Sequence, residues 1–425
     1  MTVANETQVT EKLPLRPRAP LGLGAALIGK EEEELVLQVL RSQEPFRYYG
    51  HDASKPPSMA ANLEKEFCEM YGFKYALAVT SGTAALECAL AALGVGPGDE
   101  VIVPAWSWIS CFTAVVRVGG TPVMGEIDET FCLAPGEITR LARPRTKAVL
   151  LVHYQGVAAD LEQIKNECHS HGIKLLEDCA EAVGATYKGK SVGTYGDIAI
   201  FSFQYHKFMT SGEGGMVACM DPTLYERAVR FHDIGQMRPY HAAIKKPSVP
   251  AFAGDQFRMT ELTAAMALAQ LRKVDFIKQH CRKMSARVMN GIKGLSGVTP
   301  RKIPDPAGDT GFEIYLSLPS KELAVSFSQK LEAMNVNARK TTFTYCHYAR
   351  EYVQTGDAHH PDASPFKEMK QQGAWPAKGY RREDFPRTES IIHNFLAIPI
   401  GVKYTEEDAD YIVAAMKQVH RELIG

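Results

Sequence analysis

A single lysine lies in the middle of the stretch SFQYHKFMTSGEGG, residues 202–215. Lys207 follows the apolar run DIAIFSF by four residues, and the glycines at 212, 214 and 215 allow a close approach of the backbone to a ligand. A lysine held among apolar groups and near a cation is less readily protonated, so its amine can attack a carbonyl carbon. Most lysines are solvated surface residues, so this interpretation depends on what the rest of the chain supplies.

A second chemical feature is the carboxylate of Asp178, which ends the apolar run in IKLLEDCAEA. A carboxylate at the end of a buried strand is costly unless it meets a cation or a hydrogen-bond donor. One alternative is that Asp178 caps a following helix. The other is that it pairs with the protonated nitrogen of a heteroaromatic ring, which would balance both charges.

Two further segments suit a flat, phosphorylated molecule. TSGTAAL places a tight turn before a helix N-terminus, where backbone N–H groups and the hydroxyls of Ser81 and Thr83 suit a phosphate. In VPAWSWIS, Trp106 and Trp108 point to opposite faces if the segment is extended. One ring can then lie in the core while the other stacks on a ligand; the alternative is that both are core residues. With Lys207 and the acid, these features describe a site for pyridoxal phosphate.

These residues need a scaffold that brings them together, and the chain alternates apolar strand-like runs with helices. Such alternation indicates a mostly parallel sheet covered by helices on both faces, with ligands at the carboxyl ends of the strands. We therefore expect the residues that follow the strands to converge on one side of the sheet. The segments concerned are 80–82, 104–106, 153–155, 177–178 and 202–203.

The same pattern predicts how the chain is organised. Residues 1–30 are expected to form an N-terminal arm, and residues 31–275 a large cofactor-binding domain. One long helix is expected near 259–290, and the character of the sequence changes after it. Residues 276–425 are expected to form a smaller α/β domain that carries a polar insertion at about 347–390.

Composition excludes several classes of function. The chain has 48 basic and 49 acidic residues, so its net charge does not indicate binding to a nucleic acid or a membrane. It lacks an apolar run long enough to span a membrane, and its N-terminus lacks the apolar core of a secretory signal. The nine cysteines include no CxxC pair and indicate reduced thiols in a cytoplasmic protein. No metal is expected, because the adjacent pair His359-His360 is more typical of a surface loop.

From about residue 30 to its C-terminus the chain resembles the DegT/DnrJ/EryC1/StrS sugar aminotransferases, a branch of the fold-type I pyridoxal phosphate enzymes. The resemblance implies a large domain with a mostly parallel central sheet between helices, a smaller C-terminal α/β domain, and a homodimer with shared active sites. The segments that carry it are SGTAALECALAALGVGPGDEVIVPAWSWIS, TPVMGEID, RTKAVLLVHYQG, LLEDCAEAVGATYKGKSVGTYGDIAIFSF, KFMTSGEGG and FRMTELTAA.

Carried over residue by residue, the resemblance implies roles for the site. Lys207 would hold the cofactor covalently and move protons, and Asp178 would pair with the nitrogen of its ring. Trp108 would stack on that ring. Gly82, Thr83 and Ser202 would bind the phosphate.

The chain departs from the family pattern at two places. Where members often have glutamine near the ring hydroxyl, this chain has Glu181. The motif NYR, which reaches the phosphate from the neighbouring subunit, reads Gln256-Phe257-Arg258 here, and the longer amide of Gln256 can still reach. A dehydratase branch has histidine in place of the lysine; because Lys207 is present, transamination is favoured and His206 is interpreted as a wall residue.

The acceptor is less well specified. EIDETFCLAPGEIT, ALAQLRKVDFI and KIPDPAGDTGF most resemble members that aminate the oxidised C8 of the acid sugar Kdo, with glutamate or glutamine as donor. That acceptor carries a carboxylate, so Arg238, Arg258 or a base in 339–382 would line its pocket. One alternative is an aminotransferase for nucleotide-linked 3- or 4-keto sugars or keto-cyclitols. A non-catalytic regulatory homologue is the alternative from another class.

Overall fold

The structure, a computed structural model, describes residues 13–48, 58–238, 241, 244, 247–341, 345–357, 366–371 and 380–425. The α-helices are α1 (Lys30–Ser42), α2 (Met59–Tyr71), α3 (Gly82–Ala92), α4 (Ser110–Arg117), α5 (Glu137–Leu141), α6 (Leu161–His171), α7 (Pro222–His232), α8 (Glu261–Leu271), α9 (Val274–Gly291), α10 (Lys321–Ala333), α11 (Glu351–Thr355), α12 (Phe366–Gln371), α13 (Pro386–Asn394) and α14 (Glu406–Leu423). The strands are β1 (Tyr75–Val79), β2 (Glu100–Pro104), β3 (Thr121–Gly125), β4 (Thr146–Val152), β5 (Lys174–Asp178), β6 (Thr186–Tyr187), β7 (Lys190–Ser191), β8 (Ile198–Ser202), β9 (Gly215–Cys219), β10 (Thr299–Pro300), β11 (Glu313–Ser317), β12 (Arg339–Lys340) and β13 (Phe395–Pro399).

Seven strands form the central sheet in the order β1-β9-β8-β5-β4-β2-β3. Only β9 runs against its neighbours, β1 and β8, so the other six strands are mutually parallel. Every residue of β2, β3, β8 and β9 is buried, as expected for strands covered on both faces. The carboxyl ends of β1, β2, β4, β5 and β8 therefore share one edge, which confirms the predicted convergence and the α/β class.

A second, antiparallel sheet lies later in the chain and has the order β10-β11-β13-β12. Helices α10 and α14 pack on one another, and α14 also packs on α9. This arrangement accounts for the change of character seen in the sequence after residue 290. The boundaries assigned to an arm and two domains stay a prediction.

The single helix expected over 259–290 is wrong, because α8 and α9 are separate helices joined at Arg272 and Lys273. The side chains of these two residues are tied to different helices. The Arg272 guanidinium binds Glu66 on α2, while Lys273 Nζ binds both carboxylate oxygens of Glu32 on α1, at 2.7 and 2.8 Å. Apolar residues continue on both sides of this turn, so periodicity did not indicate the break.

The described part of the N-terminal segment lies along the C-terminal helices. The N–H of Leu13 donates to Gln418 Oε1 at 3.2 Å, and Asn337 Nδ2 donates to the carbonyl of Ala19 at 3.0 Å. A short 3-10 turn at Gly24–Leu27 follows and reaches the segment after β8.

All nine cysteines are free thiols, and eight of them are buried. Among the helices in the described ranges, none is long and apolar enough to cross a membrane. The pair His359-His360 lies outside the described residues.

Candidate active site

Lys207 sits in a closed loop between β8 and β9. The loop is pinned at its base, where the N–H of Ser211 donates to the carbonyl of Phe203 at 2.9 Å, and the N–H of Phe203 donates to the carbonyl of Gly214 at 2.9 Å. The Lys207 side chain is 18% exposed, and its Nζ lies 3.2 Å from Glu181 Oε1. Among the described residues the charged partner of this ammonium is therefore a carboxylate and not a cation.

Glu181 brings a second feature to this contact. Its other oxygen, Oε2, is buried and has no hydrogen-bond partner among the described residues. A buried acceptor without a donor is costly. The position is therefore suited to a ligand that brings a hydroxyl or N–H group.

The carboxylate of Asp178 is buried at the end of β5, with the residue 4% exposed. Oδ1 accepts from the N–H of Ala180 at 2.9 Å, and Oδ2 accepts from the Cys111 thiol at 3.2 Å. Burial raises the pKa of Asp178, while these two hydrogen bonds and the charge of Lys207 act in the opposite direction. No helix follows β5 before the turn has ended, so Asp178 caps a turn rather than a helix.

The negative charge of the buried Asp178 carboxylate is thus only partly balanced by its neighbours. No salt bridge of the described residues involves it, and a thiol is a weak donor. A protonated ring nitrogen beside the carboxylate would supply the missing charge. The donor set therefore fits the pyridine ring of pyridoxal phosphate.

The N-terminus of α3 forms a cradle beside the end of β8. Ser81 Oγ accepts from the N–H of Ala84 at 3.0 Å, and no described residue accepts from the N–H groups of Gly82 and Thr83. A Cβ on Gly82 would lie 2.8 Å from the Cβ of Ser202 and 3.0 Å from its Oγ. Glycine therefore lets the helix N-terminus approach the hydroxyl of Ser202, and free N–H groups with nearby hydroxyls suit a phosphate.

The cradle is linked to α4, which also holds the acid. Thr83 Oγ1 and Ser110 Oγ lie 2.8 Å apart, and the next residue, Cys111, donates to Asp178. The first turn of α4 thus contacts both the phosphate cradle and the ring-nitrogen acid. Cys111 was not predicted, since its role depends on how α4 packs and no motif in the sequence indicates it.

The two tryptophans of VPAWSWIS have different environments, as one of the alternatives proposed. Trp106 is 1% exposed and belongs to the core, whereas Trp108 is 54% exposed. The ring of Tyr345 lies 6.4 Å from that of Trp108, measured between centroids. This contact was not predicted, because Tyr345 comes from a distant part of the chain.

The predicted substrate arginines share one buried acidic partner. Asp233 is fully buried and binds both Arg238, at 2.7 Å to Nε, and Arg258. Arg258 also forms an antiparallel bridge with Val79 at the end of β1, so it lies at the same sheet edge as the cradle. Gln256 is exposed, and its contact with a neighbouring subunit stays a prediction.

His206 is exposed and packs edge-on against Tyr205, with ring centroids 5.1 Å apart. Its N–H donates to Gln204 Oε1 at 2.8 Å. The interpretation of His206 as a wall residue stays a prediction.

Among the described residues, His153, Glu177 and Cys179 are the group whose ligand atoms lie close enough for a metal. His153 Nδ1 accepts from the N–H of Ala159 at 3.1 Å, so Nε2 carries the proton that it donates to Glu177 Oε2 at 2.8 Å. Glu177 Oε2 also accepts from the N–H of Gly193 at 2.7 Å. These groups are satisfied by structural hydrogen bonds.

Comparison with known proteins agrees with this geometry. The model of the DegT/DnrJ/EryC1/StrS aminotransferase family matches residues 27–417. The chain is 30% identical to the spore coat polysaccharide biosynthesis protein SpsC of Bacillus subtilis (strain 168), over 92% of this chain and 95% of that protein. It is 42% identical to the GDP-perosamine synthase of Escherichia coli O157:H7, over 55% of this chain and 63% of that protein.

Solved structures show the same fold across nearly the whole chain. The aminotransferase from Psychrobacter cryohalolentis has a TM-score of 0.79 at 25% identity, and the match covers 96% of this chain and 100% of that one. The 3-amino-5-hydroxybenzoic acid synthase has a TM-score of 0.77 at 26% identity, with the same coverage. The chain belongs to the DegT/DnrJ/EryC1/StrS aminotransferase family and is a pyridoxal phosphate-dependent sugar aminotransferase.

Proposed function

We propose that the cofactor binds at the shared edge of β1, β2, β5 and β8, with Lys207 and Asp178 as the catalytic residues. The observation that carries this proposal is that Asp178, a buried carboxylate without a salt bridge among the described residues, lies at the same edge as the shielded amine of Lys207. When bound, pyridoxal phosphate supplies an electrophilic carbon for the amino donor and an electron sink for the electrons released at the donor's α-carbon.

Lys207 Nζ is the group that moves the proton. As a free amine it would accept the proton from the α-carbon of the donor as a general base. Glu181 Oε1 lies 3.2 Å from Nζ and directs the amine. Glu181 Oε2 is the group that faces the ring hydroxyl in this proposal.

Asp178 would hold a proton on the ring nitrogen, and the positive charge would stabilise the electrons that the ring accepts. Gly82, Thr83 and Ser202 bind the phosphate through N–H and hydroxyl groups. Trp108 would stack on the ring. We further propose a homodimer in which Gln256 reaches the phosphate of the partner's site.

The cradle gives a first prediction. Gly82→Ala places a methyl group 2.8 Å from the Cβ of Ser202, so α3 must move away from β8. Overpacking of this kind costs about 1–3 kcal/mol. Because the phosphate needs α3 in its wild-type position, binding would have to meet this cost, and the dissociation constant for pyridoxal phosphate is expected to rise roughly 5- to 150-fold. Gly96→Ala is the matched control, because no atom lies within 4 Å of its added Cβ. Equal affinities of the two variants, titrated by absorbance, would contradict the assignment of the cradle.

For the overall reaction we propose transfer of an amino group from glutamate or glutamine to a sugar, with 8-oxo-Kdo as the acceptor. Two arginines that share one aspartate leave a net positive charge at Asp233, which supports an acceptor with a carboxylate. The second candidate is a nucleotide-linked keto sugar, favoured by the 42% identity to a GDP-perosamine synthase.

The two candidates predict different effects of Arg238→Met, which keeps the apolar stem and leaves Asp233 paired with Arg258. If Arg238 binds a carboxylate, the variant loses about 10- to 100-fold in kcat/KM for the acid sugar, since a hydrogen bond to a charged group contributes about 1.5–3 kcal/mol. A panel of 8-oxo-Kdo and nucleotide-linked 4-keto sugars, with amino transfer followed by mass spectrometry, measures this. Amination of the nucleotide sugars alone would exclude the Kdo acceptor and support the second candidate.

A further inference from the structure

The short turn at Gly24–Leu27 packs directly on the loop that carries Lys207. The N–H of Gly24 donates to the carbonyl of Phe208, the residue after Lys207, at 3.2 Å. A Cβ on Gly24 would overlap Gln270 Oε1 and would lie 3.0 Å from both Met209 Cα and the carbonyl oxygen of Phe208. No side chain fits at position 24 without moving this loop or Gln270.

Gln270 is held in place and has little freedom to give way. It is fully buried on α8, and its Nε2 donates to Glu32 Oε1 on α1 at 2.7 Å. Its Oε1 accepts from the N–H of Thr210 at 3.4 Å, so the amide links the Lys207 loop to α1.

Glu32 links Gln270 to the 3-10 turn at Gly24–Leu27. It is 1% exposed, and Lys273 Nζ donates to both of its oxygens. The same ammonium donates to the carbonyl of Leu27 at 2.9 Å, at the end of the 3-10 turn. Buried and paired charges of this kind hold a defined geometry, because breaking one partner leaves the other uncompensated.

These hydrogen bonds reach residues 208 and 210, and Met209 between them is the residue that an added Cβ on Gly24 would meet. On the other side of Lys207, Tyr205 and His206 are exposed and lie outside the core. The N–H of Lys207 itself donates to the carbonyl of Gln204 at 2.9 Å, so the position of the lysine is set by this turn together with the contacts that follow it. A displacement of about 1 Å at a reacting group can cost roughly 100-fold in rate.

We propose that Gly24 and Gln270 are positioning residues for Lys207, so that the turn at Gly24–Leu27 is a structural part of the active site. The inference rests on the proposed role of Lys207. Gly24 acts by the absence of a side chain, and Gln270 acts through its amide bonds to Thr210 and Glu32.

The test compares Gly24→Ala with Gly29→Ala. Gly29 lies in the same segment, its φ of −164° is extended backbone, and its added Cβ meets only the carbonyl oxygen of Leu27 at 3.8 Å. Cofactor-free protein is mixed with pyridoxal phosphate, reduced with borohydride at intervals, and digested, and labelling of Lys207 is followed by mass spectrometry. Hydrogen exchange of the peptide covering 203–211 is measured on the cofactor-free protein, and kcat and KM for glutamate are measured separately.

In Gly24→Ala we expect labelling of Lys207 to slow at least about tenfold, with faster exchange of 203–211. We also expect a lower kcat at an unchanged KM for glutamate, while Gly29→Ala behaves as the wild type. Gln270→Met, which keeps the size but loses both hydrogen bonds, is expected to act in the same direction. Wild-type labelling and exchange in folded Gln270→Met would overturn the inference even if Gly24→Ala did not fold. Wild-type protein that is not labelled at Lys207 would instead overturn the proposed function.

Discussion

Lys207→Ala is expected to reduce amino transfer by at least about 10²–10⁴-fold, the contribution of a positioned general acid–base group. The variant loses the amine that both attacks the cofactor and moves the proton. It is also expected to show no absorbance shift when glutamate is added. The measurement is the visible spectrum of the purified protein before and after glutamate, together with the steady-state rate.

The alanine variant also leaves Glu181 without its cation. Its lower activity could therefore not be assigned to the loss of the reactive amine alone. Lys207→Arg keeps a positive charge beside Glu181 Oε1, but a guanidinium stays protonated and cannot act as a nucleophile. It should therefore be as inactive as the alanine variant while melting closer to the wild type. Lys165→Ala, at an exposed position on α6, is the control for loss of any lysine and should be fully active. Substantial activity in Lys207→Arg would remove Lys207 from the mechanism.

The parts of this site that could be predicted from the sequence are those that local patterns determine. Lys207, Asp178 and Gly82 each lie at or just after the end of an apolar strand, and parallel strands bring their carboxyl ends to one edge whatever the details of packing. The exposure of Trp108 was one of two alternatives, and Ser107, between the two tryptophans, has a φ of 120° and so is not extended backbone. Predicting where Lys207, Asp178 and Gly82 lie requires only the order of the helices and strands and the end of each strand at which the residue lies.

What could not be predicted depends on contacts between distant segments. Cys111 meets Asp178 only because α4 packs across the end of β5, and Gly24 meets Phe208 although the two are far apart in the sequence. The sequence did not indicate that the position of Arg238 is set by the buried carboxylate of Asp233. Which basic side chain pairs with which acid is decided by burial and geometry, and neither is local in the sequence.

Asp178→Asn is expected to lower kcat by about 10²–10³-fold and, in the cofactor-free protein, to raise the melting temperature. The first effect follows because an amide cannot hold the ring nitrogen in its protonated form, and loss of one preorganised electrostatic contact has this size. The second follows from burial, which raises the pKa of Asp178 above its ordinary value of 3.8. Above the raised pKa the folded protein must hold a buried negative charge with only a backbone N–H, a thiol and the more distant Lys207 to balance it.

The pH dependence gives the sign of the stability effect. Between pH 3.8 and the raised pKa, the folded protein binds a proton that the unfolded chain has already lost, so stability falls as the pH rises through this interval. The Asp178→Asn substitution removes this loss of stability, because the amide carries no charge at any pH in this range. The gain in melting temperature should therefore be present at neutral pH and absent below pH 3.8. Its size should be on the order of 2 °C for each kcal/mol by which the free energy of unfolding rises.

Asp128→Asn provides the contrast, because Asp128 is equally buried but lies outside the site. The charge of its carboxylate is balanced by the N–H of Thr130 at 2.9 Å and by Lys302 Nζ at 3.6 Å. Neutralising this carboxylate therefore removes no unbalanced buried charge. That variant should keep its activity and gain no stability at neutral pH. Melting curves of both cofactor-free variants from acid to neutral pH distinguish the two cases. A stability gain in Asp128→Asn but not in Asp178→Asn would mean that Asp178 carries no uncompensated charge, and the ring nitrogen would need another partner.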